Sequence, residues 1–138
     1  MSATLVDSNV IIDLLSKDSQ FGVWSFRQID RLAQLGDLVI NQICFAETAT
    51  YFKNIAEFER SMGFIGIARE ALSWSAAGKA GIAHYEYRKK GGSRNRILAD
   101  FLIGSHASEK GFRLLTRDPA TYRTYFPNLE IIAPDTHP

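Results

Sequence analysis

The sequence is short of the features that mark most other protein classes. It has a single cysteine, Cys44, so an intrachain disulfide and a cysteine-rich zinc site are both excluded, and a reducing compartment fits best. No apolar run approaches the roughly 18 residues needed to span a membrane. The chain passes from Met1-Ser2-Ala3-Thr4 straight into Leu5-Val6-Asp7. With no basic segment leading into an apolar one, a secretory signal is not expected and a cytoplasmic location is. Neither sign of charge predominates: 16 Lys+Arg face 15 Asp+Glu. That balance excludes a bulk polycation but leaves room for a local basic patch. Glycine-rich phosphate loops are missing, and Gly91-Gly92 alone reads as a turn. Gly104-Ser105-His106 lacks the following glycine that a nucleophile elbow requires. What remains is 138 residues, 46% hydrophobic and 22% charged, the composition of one folded domain over residues 1–138.

Apolar patterning divides the chain into short strands and helices. Leu5-Val6 is a strand ending at Asp7, and a short helix runs from Val10 to Leu15 with Asp7 or Ser8 as cap. Phe26, Ile29, Leu32 and Ala33 recur at helical spacing before Gly36. Leu38-Val39-Ile40 is a strand, and Asn41 caps a helix through Cys44 and Phe45. A second set (Phe52, Ile55, Phe58, Met62) continues or restarts that helix as far as Gly63. Residues 64 to 75 are apolar without clear pattern and read as a turn. Ala76, Ala80, Ala83 and Tyr87 share one helical face ahead of Arg88-Lys89-Lys90 and Gly91. Ile97 to Lys110 is a helix stopped by Gly111, and Phe112 to Thr116 is a strand. Asp118-Pro119 opens a short helix, with Asp as cap and Pro at the first helical position. Leu129 to Ile132 is the last strand, and residues 134–138 form a flexible tail. Trp24, Trp74 and the nine Phe read as core, Cys44 as an inert buried thiol. The scattered His84, His106 and His137 suggest no histidine metal site. Strands alternating with helices give an α/β fold with a mainly parallel sheet of four to five short strands. Ligands in such folds bind beyond the strand carboxyl ends.

Four carboxylates belong to that rim. Asp7 ends the first strand, and Asp118 lies two residues beyond Thr116. Glu47 lies six residues past Asn41, roughly 9 Å along its helix. Asp100 sits near the start of the helix from Ile97. Helices between parallel strands run antiparallel to them, so these positions converge at the carboxyl edge. Asp100 stands among Ile97, Leu98, Ala99, Phe101, Leu102 and Ile103, and Glu47 among Ile43, Phe45, Ala46 and Ala49. A buried carboxylate must be protonated, paired with a base or bound to a cation. Converging acids exceed what one base can satisfy, whereas Asp and Glu oxygens suit a hard divalent ion such as Mg²⁺ or Mn²⁺. Taken singly, Asp7 and Asp118 also read as helix caps, and Glu47 as the partner of a nearby Lys or Arg.

With the four acids set aside, sixteen cations face eleven anions. Arg88, Lys89, Lys90, Arg94 and Arg96 form an acid-free run directly before the Asp100 helix. Basic groups beside a cation-loaded acidic pocket suit a polyanion whose phosphate enters it. The plainer alternative is a solvated helix end and loop. Two further function classes are open. An aspartyl-phosphate enzyme with Asp7 as nucleophile needs a second Asp two residues on, where this chain has Asn9. A non-catalytic module would hold a structural cation or a basic peptide without catalysing a reaction.

The segments Leu5-Val6-Asp7-Ser8-Asn9 through Asp13, Glu47 in its helix, Asp100-Phe101-Leu102-Ile103-Gly104-Ser105-His106-Ala107 and Leu114-Leu115-Thr116-Arg117-Asp118 resemble the PIN-domain ribonucleases. Within them the chain is most similar to the VapC-type toxins of toxin–antitoxin pairs, along essentially its whole length. The resemblance implies a PIN-like fold and an endoribonuclease using one or two Mg²⁺ or Mn²⁺ ions held by Asp7, Glu47, Asp100 and Asp118. It also implies supporting roles for Asn9 and Thr116, a homodimer, and a small antitoxin that covers the active site. RNA-processing PIN nucleases without an antitoxin share the same motifs.

Overall fold

The structure, a computed structural model, describes residues 3–16, 19–92 and 97–138. The chain starts with β1 (Thr4–Val6), α1 (Ser8–Leu15) and α2 (Gly22–Ala33). β2 (Leu38–Ile40), α3 (Gln42–Ala49), α4 (Ile55–Ile65) and β3 (Ala68–Arg69) follow. The hairpin of α5 (Trp74–Lys89) and α6 (Ile97–Lys110) leads to β4 (Arg113–Leu115), α7 (Ala120–Tyr125) and β5 (Ile131–Ile132). The five strands form one sheet in the order β3-β2-β1-β4-β5, and every pairing is parallel. The chain goes from β1 to one side for β2 and β3, then returns to the other for β4 and β5. The crevice where direction reverses therefore lies beyond the carboxyl ends of β1 and β4, where open α/β sheets place their ligands.

Covered on both faces, the inner strands have no polar side and read as apolar runs. Leu5, Val6, Val39, Ile40, Leu114 and Leu115 are all buried. Asn41 caps α3, its Oδ1 accepting from the Cys44 N–H at 3.0 Å. The alanine face of α5 packs on α6: Ala76 and Ala80 are fully buried, and Ser105 Oγ donates to the Ala76 carbonyl at 2.8 Å. At the other end of the hairpin the Tyr87 and Phe101 rings lie 5.7 Å apart. Gly104 lets α6 approach the Phe126 ring; a Cβ there would come within 2.5 Å of it.

Several expectations are corrected. The helix restarts, as one of the two readings had it, at Ile55 with Asn54 as cap, but it runs through Gly63 and ends at Gly66 in the left-handed region (φ 74°). Residues 64 to 75 contain β3, whose two exposed residues on the sheet edge carry no periodic signal. Pro119, not Asp118, occupies the cap position of α7, without a side-chain cap bond. The Asp118 N–H donates instead to Thr116 Oγ1 at 3.1 Å, which turns the segment before the helix begins. Residues 134–138 are tied down: the His137 carbonyl accepts from Trp24 Nε1 at 2.6 Å, and Asp135 pairs with Arg123 at 2.6 Å. Trp74 and Phe64 are each 94% exposed and Phe26 65%; in α5 it is Ala76 and Ala80, not Trp74, that face the core. Among the described residues no helix is long and apolar enough to cross a membrane.

Candidate metal centre

Asp7 follows the central strand, where its own N–H donates to the Leu115 carbonyl at 2.9 Å. Both carboxylate oxygens are engaged. Oδ1 accepts from the Ser8 N–H at 2.7 Å, and Oδ2 accepts from Thr116 Oγ1 at 2.8 Å and from the Tyr122 hydroxyl at 3.0 Å. Capping of α1 thus accounts for one oxygen only. Asn9 ties the same residues together, its Nδ2 lying 3.3 Å from Thr116 Oγ1 and its Oδ1 accepting from the Arg117 N–H at 3.2 Å. Asp7 is 5% exposed. Burial raises its pKa, the hydroxyl donors of Thr116 and Tyr122 pull it back down, and the charge of Glu47 raises it further.

Glu47 projects from α3 onto this group, with Ser8 Oγ donating to its Oε1 at 2.8 Å. A ligand oxygen of Asp7, one of Glu47 and the Cys44 sulfur all lie within 4.8 Å of one another. Cys44 is fully buried, and burial, followed by the Asp7 and Glu47 charges, pushes its thiol well above its usual range. It is therefore inert, as the sequence suggests, but its place beside the two acids was not legible there. The thiol is not a hard-ion ligand, whereas the paired carboxylates are.

Asp7, Glu47, Asp100 and Asp118 line one cleft of about 400 Å³ at the carboxyl edge, together with Asn9 and Arg117. Asp100 is half-buried and Leu98 is 44% exposed, so the first turn of α6 opens onto the cleft rather than lying enclosed. Among the described residues no Lys or Arg forms an ion pair with Asp7, Glu47 or Asp118. Among the described residues the one cation lining the cleft, Arg117, is turned aside: its Nε lies 2.6 Å from Oδ2 of Asp13, which is 3% exposed, and its guanidinium stacks on Phe21. Asp7 and Glu47, close together and with fixed orientation, in a cleft that Asp100 and Asp118 also line, fit a hard divalent cation by charge and by donor type.

The structure adds residues that sequence reasoning did not single out: Ser8 on Glu47, Tyr122 on Asp7, and the Asp13–Arg117 pair. Only buried hydroxyls and their partners reveal these, and no spacing rule does. Arg88, Lys89 and Lys90 are exposed at the end of α5, and the antiparallel hairpin brings that end alongside the first turn of α6. None of them lines the cleft. Arg94 and Arg96 lie outside the described residues.

The PIN domain family model matches residues 4–127, and the chain belongs to the PIN-domain family. Its fold is also that of solved structures. In VapBC2 from Rickettsia felis bound to a DNA fragment of its promoter, the TM-score is 0.73 at 18% identity, covering 95% of this chain and 98% of that one. In DNA-bound VapBC from Salmonella typhimurium the values are 0.70 and 20%, over 96% and 98%. In VapBC-1 from nontypeable Haemophilus influenzae they are 0.66 and 20%, over 95% and 97%. No curated protein sequence matches the chain significantly.

Proposed function

We propose that this protein is a divalent-cation-dependent endoribonuclease, the toxin of a toxin–antitoxin pair, acting in the cytoplasm as a homodimer to inhibit translation or growth. The observation that carries this reading is the meeting of Asp7, Glu47, Asp100 and Asp118 on one cleft with no Lys or Arg paired to Asp7, Glu47 or Asp118 among the described residues. Mg²⁺ or Mn²⁺, as one or two ions, would be held by these four acids. When bound, such an ion supplies charge stabilisation at a scissile phosphate and a more acidic water. The chain's own part is positioning. The Thr116 and Tyr122 hydroxyls fix Asp7, Ser8 fixes Glu47, and Asn9 holds the Thr116–Arg117 segment that presents Asp118. Hydrolysis adds water in line at phosphorus and breaks the P–O3′ bond, with no covalent enzyme intermediate. Arg88, Lys89 and Lys90, with Arg94 and Arg96, would carry the RNA backbone towards the cleft.

The solved relatives are VapBC assemblies, which supports an antitoxin partner. An adjoining groove lined by Ile12, Leu15, Tyr51 and Phe52, with Ser16, Lys53 and Glu57, shares Ile12 and Tyr51 with the cleft and offers a seat for it. The test is cleavage of a structured RNA by partner-free protein. Activity is expected with Mg²⁺ or Mn²⁺, and none with EDTA. Asp100→Asn should remain folded and inactive; cleavage by that variant at the wild-type rate would refute the assignment. A small protein co-purifying in stoichiometric amount is the expected sign of the antitoxin.

A further inference from the structure

His106 lies in the middle of α6, six residues beyond Asp100 and roughly 9 Å further along the helix. It is fully buried, and its Nδ1 is 3.1 Å from Nδ2 of Asn41. Asn41 is the cap of α3, the helix that carries Glu47. Its amide orientation is not free: Oδ1 is taken by the Cys44 N–H at 3.0 Å, so the NH₂ end must face His106. An NH₂ group donates and cannot meet another N–H. Nδ1 of His106 therefore presents its lone pair, and the ring proton resides on Nε2. The ring makes an edge-to-face contact with Phe112, 5.7 Å between centroids, and Nε2 has no hydrogen-bond partner. A histidine that leaves one nitrogen unsatisfied in the core is held there by what the other nitrogen does.

We propose that His106 is a positioning residue for the acidic cleft: through the Asn41 amide it locks the start of α3 to α6 and so sets Glu47 relative to Asp100. The two helices contribute one proposed cation ligand each, and this tie joins them by a directed side-chain bond rather than by packing alone. Asn41 is itself 2% exposed, so water cannot replace the missing acceptor if the imidazole is removed. The inference rests on the cation reading of Glu47 and Asp100.

The test uses Mn²⁺ as probe, titrated into the full chain and followed by the loss of the free-ion signal in electron paramagnetic resonance. Alongside it, hydrogen exchange of the Cys44 amide, which Asn41 caps, is read without any ion. His106→Leu keeps the volume but has no acceptor, and Asn41→Ser keeps a capping oxygen but cannot reach His106. Both are expected to weaken Mn²⁺ binding roughly tenfold, as loss of a supporting residue behind a ligand does. His106→Asn, whose Oδ1 takes the place of Nδ1 and can accept from Asn41, should restore binding and slow Cys44 exchange again. Should His106→Leu fail to fold, Asn41→Ser carries the measurement. Folded variants that melt lower yet bind Mn²⁺ as the wild type does would overturn the proposal and leave His106 as core packing. A wild type that binds no Mn²⁺ would instead refute the cation reading. The tie is then judged on exchange alone: unchanged Cys44 rates in His106→Leu overturn it, and faster rates restored by His106→Asn support it.

Discussion

Replacing Asp7 by Asn separates what the cleft does for binding from what it does to the fold. In the wild type a carboxylate that is 5% exposed lies with one oxygen within 4.8 Å of a Glu47 oxygen. At an effective dielectric constant of about 20, two unit charges at that distance repel by roughly 3 kcal/mol. Burial and this repulsion raise the Asp7 pKa above 3.8 against its hydrogen bonds. A group with a raised folded-state pKa gives its full contribution below the unfolded value and loses it as pH rises through the folded one. At neutral pH the ionised Asp7 therefore weakens the ion-free protein. Asn relieves the charge but turns an NH₂ towards the Thr116 and Tyr122 hydroxyls, a mismatch costing about 1 kcal/mol. Asp7→Asn should stabilise the ion-free protein by about 1–2 kcal/mol, a rise of roughly 3–7 °C in melting temperature. Thermal melts by circular dichroism in EDTA at pH 7 read this gain, and it should vanish near pH 3.5. Added Mg²⁺ should raise the wild-type melting temperature more than the variant's, since the variant has lost one of the four acids proposed to hold the ion. A variant that melts below the wild type in EDTA, or that gains as much from Mg²⁺, refutes the reasoning.

Other consequences can be measured as directly. Arg117→Ala leaves the buried Asp13 with only the hydroxyls of Ser19 and Ser25; urea titration should show a loss of about 3 kcal/mol, and a loss below 1 kcal/mol would mean the pair is idle. Burial lowers the His106 pKa below 6.5, so the folded state keeps the ring neutral while the unfolded state takes up a proton. Stability should be full above pH 6.5 and fall as pH drops below it. His106→Gln should flatten that slope between pH 6.5 and 5, and an unaltered slope would assign it to other groups. Neutralising Arg88, Lys89 and Lys90 together should weaken RNA binding and reduce its logarithmic salt dependence by about 0.7 for each phosphate that is no longer neutralised. A wild-type salt slope in this variant would return the helix end to the role of solvated surface.

Where the sequence was informative, a local rule and the tertiary structure agree. Leu38–Ile40 is apolar because the strand is covered on both faces, Asn41 caps because its neighbours begin a helix, and Gly111 ends α6 with φ 71°. Asp7, Glu47, Asp100 and Asp118 could be placed on one rim because strand ends and helix starts share an edge in any parallel α/β fold. The rest depends on long-range neighbours that no sequence window contains. β3 exists because β2 offers it an edge, not because Ala68-Arg69 favours a strand. Asp118 looks like a cap until Thr116 Oγ1 is seen to take its N–H. Trp74 looks like core by residue type, and only the alanine face beside it shows why it faces outwards. Tyr122 could be marked as apolar and aromatic, but its hydroxyl on Asp7 joins residues 115 positions apart.

That separation has a consequence for the chain during its own synthesis. β1 takes β4 as a neighbour only after residue 113 has been made, and the hydroxyl that seats Asp7 arrives later still, with α7. A ribosome-bound chain holding Asp7 and Glu47 alone has an open sheet edge where the crevice should be. Long-range pairing of this kind forms late because the intervening loop must be ordered first. The acidic cleft is thus completed only once α7 has been made, well after its first two acids, Asp7 and Glu47, have left the ribosome.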